Sequence, residues 1–260
     1  MNTLPAVYRL SLAVLLRSRR TVIMALLCLF PVLASAIGAM VIVGGIAERE
    51  LTGFSLVSYI IVNGYVYVLL AAVSLFYGTA LISDEIDDKT ITYLFMRPVP
   101  KPVLYLGKYL AYVTASALLL LPSASLCFLI AMAADPSGEA GRHLPIFLQD
   151  LAVLALGLLA YGGLYALIGT VSKRPIYVGV AFAILWESVV TFIPGYMSKM
   201  TIKHYLLSLI PHPVSQRGVL AIFEQPTSAP VSVIALLAIS AGLVALGAYV
   251  FTHREYVLEQ

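Results

Sequence analysis

Residues 83–102 read SDEIDDKTITYLFMRPVPKP, with four carboxylates inside five residues (Asp84, Glu85, Asp87 and Asp88) and three prolines close behind (Pro98, Pro100 and Pro102). Long apolar runs lie on both sides of this stretch. A dense charge cluster between two greasy segments makes sense as a short water-facing connection between helices that cross a bilayer. The rest of the chain agrees. It is 61% hydrophobic and only 11% charged, whereas a soluble domain is about 45–50% apolar and about 25% charged. A chain this apolar cannot hide its surface in one water-facing core, so lipid is the expected solvent.

Six runs are long enough to cross about 30 Å of hydrocarbon as helices. They cover roughly 21–43, 57–82, 104–133, 146–172, 175–195 and 229–252. Each run is continuous rather than alternating, and open strands cannot satisfy their backbone in lipid. The expectation is an all-α integral membrane protein with one transmembrane domain over 1–260. The first run follows Arg17, Arg19 and Arg20 and is too long for a signal h-region, so it reads as a retained span.

Basic residues orient the chain. With the N-terminus inside, the outer side holds Arg49, Arg142, Lys199, Lys203 and Arg217, and the other eleven of the 16 lysines and arginines fall inside. The positive-inside rule then puts both termini in the cytoplasm. Residues 84–102 become a cytoplasmic loop between the second and third spans, and 196–228 the long external loop. The segment 4–20, LPAVYRLSLAVLLRSRR from Leu4, repeats apolar residues at helical spacing (Val7, Tyr8, Leu12, Leu15). It reads as an amphipathic helix in the inner interface, or as a basic anchor that only orients the chain. The stretch MTIKHYLLSLIPHP at 200–213 reads as one or two short helices dipping into the outer leaflet, or as a surface cap.

The chemistry expected of an enzyme is thin. His143, His204, His212 and His253 fall in loops or at a helix end, without metal-ligand spacing such as HExxH. No GxSxG elbow and no GxxxxGK[ST] phosphate loop occurs. Cys28 and Cys127 lie inside apolar runs and read as small hydrophobes. The acidic cluster reads as a solvated helix end, with divalent-metal binding as the alternative. Glu187, in AILWESVV at 183–190, is the one acid buried by position. It either lines a polar path, accepts a hydrogen bond from another helix, or packs neutral. Asn63, and more weakly Ser74, Thr79, Gln149 and Asp150, are polar residues that line a path or merely glue helices. Tyr59, Tyr105, Tyr177, Tyr196 and Tyr249 read as interfacial belt residues. Pro31 and Pro122 suggest kinks within spans. Gly162, Gly163, Gly169, Gly242 and Gly247 would allow close helix approach.

Residues 78–112, GTALISDEIDDKTITYLFMRPVPKPVLYLGKYLAY, resemble the first cytoplasmic loop of the type-2 permeases of ATP-binding-cassette (ABC) transporters. The matching positions are Glu85 at the end of the second span, Thr90, the Arg97–Pro98 turn, Lys101, and the Gly107–Lys108 pair opening the third span. Lys89 stands where many members carry glycine. The LWE of residues 185–187, the long external loop and the amphipathic segment before the first span also fit.

The resemblance implies a coupling helix over 86–96 that docks on a separate ATPase, with Tyr93, Leu94, Phe95 and Met96 as apolar anchors and Glu85, Asp88, Thr90, Arg97, Pro98, Lys101 and Lys108 around them. It implies two ATPase copies carrying ATP and magnesium, a second permease copy or a relative, and no cofactor, metal or catalytic residue in this chain. It also implies a prokaryotic cytoplasmic (inner) membrane location and export as the direction. Low charge in the spans favours amphipathic or lipid-like cargo, and nothing points to nucleic acid. Two other classes stay open on the residues alone. One is an intramembrane enzyme acting on a lipid-linked substrate through Asp84–Asp88 or Glu187. The other is a membrane anchor that recruits a cytoplasmic ATPase.

Overall fold

The computed structural model describes residues 3–45, 52–87, 99–135, 140–190, 198–210, 212 and 226–254. All regular structure among them is helical. Helix α1 spans Thr3–Arg17 and α2 spans Arg19–Val43. Helix α3 runs as α-helix over Gly53–Tyr59, as π-helix over Ile60–Leu69, and as α-helix again over Leu70–Asp87. Helices α4 and α5 span Lys101–Ala133 and Ala140–Val171. Helix α6 is α-helical over Pro175–Ala181 and π-helical over Phe182–Val189. Helix α7 spans Ile202–Leu209, after a short 3-10 turn over Ser198–Met200, and α8 spans Ala229–His253.

Five of these helices, α2, α3, α4, α5 and α8, are long and apolar enough to cross a membrane. Of the expected fifth span, 175–195, helix α6 is described as far as 190, and residues 191–195 lie outside the described residues. Beside Glu187 the amides of Ile202 and Lys203 open α7. From there α7 follows α5 toward its N-terminal end. A Cβ added at Gly157 would lie 3.3 Å from Leu206, and the Gln149 side chain donates to the Leu209 carbonyl at 3.0 Å. A carboxylate in lipid is costly, and Glu187 is buried against the start of this second helix.

The elbow between α1 and α2 is built by Ser18, an extended residue whose Oγ accepts from the Thr21 amide. This N-cap starts α2 as α1 ends. Thr21 Oγ1 donates back to the Leu15 carbonyl at 2.5 Å and accepts from the Tyr77 hydroxyl at 2.7 Å, tying the elbow to α3. One face of α1, including Val7 and Leu15, packs against the core, while Leu10 and Val14 are exposed. Leu16 is also exposed.

Deeper in the bundle, hydroxyls join α2, α3 and α4. The Tyr65 hydroxyl lies 2.6 Å from Ser123 Oγ, which donates to the Cys28 carbonyl, and Ser35 donates to the Cys127 carbonyl. Both cysteines are free and buried. Gly169 brings α5 against α3 backbone to backbone: a Cβ there would lie 2.6 Å from the Thr79 carbonyl oxygen. Gly242 makes no such approach, and a Cβ added there meets nothing within 4 Å.

Of the tyrosines read as interfacial, Tyr59, Tyr177 and Tyr249 are exposed. Tyr105 is not a belt residue: it is buried over Gly247 and beside Phe251, where the missing glycine side chain makes room for its ring. Tyr196 lies outside the described residues.

The ends of α3, α5 and α8 meet the starts of α2, α4 and α6 at one end of the bundle, called here the terminal end because α1 and the close of α8 also lie there. At the opposite, distal end, Asp135 after α4 meets the start of α3.

Candidate functional site

Glu85 closes α3 and Lys108 lies in the third turn of α4. Lys108 Nζ donates to Glu85 Oε1 at 2.5 Å and to the Leu81 carbonyl at 3.1 Å. The lysine side chain is 11% exposed and the glutamate 26%, so this ion pair is shielded from water far better than an ordinary surface pair. One residue earlier, Gly107 lets α1 settle on α4, since a Cβ there would lie 2.8 Å from Val7. The Gly–Lys pair therefore has a local explanation: the glycine seats α1 and the lysine joins the two helices that lead into the 84–102 loop. Lys101, in the first turn of α4, donates to the Thr252 carbonyl at the end of α8 at 3.3 Å. Arg254 donates to the carbonyls of Thr170 and Val171 at the end of α5. Cations thus meet the C-terminal carbonyls of α8 and α5, where unpaired C=O groups and the helix dipole favour positive charge, while Lys108 reaches a carbonyl inside α3.

Asp84 pairs with Arg20 at 2.7 Å, with both side chains about 40% exposed (40% and 42%). This pair joins the start of α2 to the end of α3. Asp88, Thr90, Tyr93, Leu94, Phe95, Met96, Arg97 and Pro98, and with them most of the expected coupling helix, lie outside the described residues. Of the Asp84–Asp88 cluster, Asp84 and Glu85 have described side chains, and both are engaged with cations.

Glu187 is 4% exposed. Its carboxylate accepts from the Tyr161 hydroxyl at 3.1 Å and from the Ile202 and Lys203 amides at 3.3 Å each. It therefore supplies an anion to the N-terminus of α7, alongside the Thr201 cap that accepts from His204. Lys203, itself buried, places its ammonium 3.6 Å from the centre of the Tyr67 ring. Asn63 occupies a different setting: it is exposed, and its side-chain amide donates to the Tyr59 carbonyl one turn back. The two residues share one property. Each lies in a π-wound stretch, Asn63 in Ile60–Leu69 and Glu187 in Phe182–Val189. Such windings are rare and often mark functional segments.

Of the weaker polar candidates, Ser74 accepts from Tyr112, Thr79 donates within its own helix, and Gln149 holds the end of α7. Asp150 takes part in an assembly that its sequence position did not reveal. His212 Nε2 lies 2.7 Å from Asp150 Oδ2, and His212 Nδ1 lies 3.0 Å from Ser58 Oγ. Phe54 stacks on His143 at 4.0 Å and meets His212 edge-on at 5.2 Å. These residues are separated by 62 and 154 positions, so no local motif signals them. Ser58 Oγ also donates to the Phe54 carbonyl at 2.8 Å. The arrangement clamps His212 to the starts of α3 and α5. Nearby, His204 Nε2 lies 2.9 Å from Thr227 Oγ1. Burial first, then the Lys199 charge, hold its imidazole below the usual histidine range.

A bundle of apolar helices with a paired acid and base at the mouth of a charged loop defines the class: a multi-pass membrane protein built like a transport permease. The sequence profile of the family described as "ABC-2 family transporter protein" matches residues 15–195, well over half of the chain, and the chain belongs to that family. The match runs from the α1–α2 elbow through the 84–102 loop to beyond Glu187. No curated protein matches the chain.

Proposed function

We propose that this ABC-2 permease is the membrane subunit of an ATP-driven exporter and couples to a separate ATPase through residues 84–102. The single observation that carries the reading is the shielded Glu85–Lys108 pair, which joins α3 to α4 where the loop leaves and returns. A push on the loop would then reach two spans together rather than one, and helices moved as rigid units are how such bundles switch between states. In this reading both termini face the cytoplasm. Two ATPase copies hold ATP and magnesium, and a second permease copy or a relative completes the pathway in a prokaryotic inner membrane. Glu85, Asp88, Thr90, Tyr93, Leu94, Arg97, Pro98, Lys101 and Lys108 form the coupling region. Charge at such a contact contributes orientation and specificity more than affinity. Asn63 and Glu187 are the path candidates, supported by their π-wound segments.

Purification in mild detergent with co-expressed candidate ATPases tests the proposal. Wild type is expected to retain an ABC ATPase, and Arg97→Glu is expected to lose it while the permease stays folded. Failure to retain any ATPase, or equal retention by Arg97→Glu, contradicts the assignment of the loop.

A further inference from the structure

The hydrogen bonds of the Ser58–His212–Asp150 clamp fix where its protons lie. A serine hydroxyl has one proton. Ser58 directs it at the Phe54 carbonyl, 2.8 Å away. Ser58 Oγ therefore accepts, and does not donate, in its 3.0 Å contact with His212 Nδ1, so Nδ1 carries a proton. On the other side of the ring, Nε2 lies 2.7 Å from Asp150 Oδ2. A bare nitrogen facing a carboxylate oxygen at that distance would set lone pair against lone pair. A second proton therefore lies between them, and the pair is neutral overall. The order Ser–His–Asp is that of a nucleophilic triad, but a ring whose Nδ1 donates to the serine does not take the serine's proton.

Burial requires the same count. The His212 and Asp150 side chains are 1% and 0% exposed, and Asp150 Oδ1 is buried with no hydrogen-bond partner. With only one proton on the pair, Asp150 would be an enclosed anion beside a neutral ring, which is strongly disfavoured. Among the described residues no other charge takes the place of that proton. On α5, His143 stacks on Phe54 with its Nδ1 buried and without a partner, and Arg142 is exposed. Asp135, after α4, meets the Gly53 amide. On α7, Lys203 stands over the Tyr67 ring and His204 meets Thr227.

We infer that Asp150 and His212 form a proton-operated latch at the distal end: the pair keeps a proton while His212 is fastened between α3 and α5, and losing that proton to water releases His212. The loss leaves two arrangements. Ser58 can turn its hydroxyl from Phe54 to Nδ1, which strands the Asp150 anion in the interior. Otherwise His212 withdraws and lets water reach Asp150, which relieves the enclosed charge. Above the ordinary histidine range the latch takes up a proton as it shuts, so rising pH weakens it. While shut, it ties the starts of two long helices to each other through a residue that belongs to neither. None of this depends on the ATPase proposal.

The test uses the full chain, with any subunit that accompanies it, in phosphatidylcholine nanodiscs with histidine labelled at the ring nitrogens. At about pH 7.5, about one unit above the ordinary histidine value of about 6.5, a free imidazole is about one-tenth protonated. The His212 signal, assigned by subtracting a His212→Gln spectrum, is expected to show Nδ1 protonated in most molecules. Asp150→Asn removes the anion and keeps an acceptor, and is expected to lose the Nδ1 proton at the same pH. Release is followed with diethyl pyrocarbonate, which modifies unprotonated imidazole. Relative to exposed His253, modification of wild-type His212 is expected to rise several-fold between about pH 7.5 and about pH 9. An unprotonated Nδ1 in the wild type at the lower pH, or equal protonation in Asp150→Asn, overturns the proton site. A constant His212-to-His253 ratio overturns the release. If Asp150→Asn does not fold, the wild-type spectrum and modification profile still decide both points.

Discussion

The terminal end of the bundle and its other half solve the same backbone problem with opposite charges. At the terminal end, Lys101 and Arg254 donate to carbonyls at the ends of α8 and α5, and Lys108 donates to the Leu81 carbonyl inside α3. Elsewhere, carboxylates accept from amides that open helices. Asp135 accepts from Gly53 at 2.9 Å at the start of α3, and Glu187 accepts from Ile202 and Lys203 at the start of α7. Both arrangements follow from orphan peptide groups and the helix dipole. Shielding varies among these groups. The Arg20–Asp84 pair at the terminal end keeps contact with water, whereas Lys108 and Glu187 are both largely enclosed. Arg20 and Asp84 can therefore exchange partners at modest cost, while Glu187 is a fixed post for α7.

The largest effect is expected at that post. Glu187→Ala leaves two buried amides and the Tyr161 hydroxyl without their acceptor. Each unsatisfied group costs about 1–3 kcal/mol, so a loss of about 3 kcal/mol or more is expected in thermal unfolding followed in detergent. Glu187→Gln keeps one carbonyl acceptor and should lose roughly half as much. Equal, small effects for both would mean that the carboxylate does not hold α7.

Next comes Lys108→Ala, which removes the partner of Glu85 and the cap on Leu81, at about 1.5–3 kcal/mol. Exchanging the pair, as Glu85→Lys with Lys108→Glu, restores the attraction but not the carbonyl contact. Partial recovery of the melting temperature is expected, and no recovery would remove the ion pair from the account.

Smaller still is Arg20→Gln. Its pair with Asp84 is well exposed, so a change of about 1 kcal/mol or less is expected, falling further at high salt. A large, salt-independent loss would show that the α2–α3 contact is tighter than its exposure indicates.

The smallest effect concerns pH. His204 has its folded-state pKa lowered by burial and by Lys199. Below the unfolded histidine value of about 6.5, the unfolded chain binds the proton more readily, so α7 loses stability as pH falls from there toward the folded-state value. Hydrogen exchange of the α7 amides should quicken slightly below pH 6.5 in wild type beyond the intrinsic trend, and His204→Gln should abolish that change.

Much of this architecture was legible along the chain. Continuous apolar runs and the distribution of lysine and arginine are one-dimensional signals, and they located five long helices and the charged connection between the second and third. The Gly107–Lys108 pair was legible through family resemblance, and the structure supplies its physics in Val7 and Glu85. What escaped was long-range. Hydropathy places Glu187 inside the run 175–195 but does not register its contact with the start of α7. Tyr105 resembled a belt residue until Gly247, more than a hundred positions away, opened a slot for it. The Ser58–His212–Asp150 clamp joins three separate segments, and none of its members stands out locally. The coupling residues from Asp88 to Pro98 rest on the resemblance alone.

The central claim is that the Glu85–Lys108 pair carries force between the loop and the two spans. The most direct measurement is ATP hydrolysis by the reconstituted permease–ATPase complex, comparing Lys108→Ala with Asp135→Asn, a carboxylate at the distal end, at temperatures chosen to give equal folded fractions. The account predicts that Lys108→Ala alters the permease-dependent stimulation of the ATPase several-fold while Asp135→Asn leaves it near the wild-type value. Wild-type stimulation in Lys108→Ala, or the same loss in both variants, would contradict it.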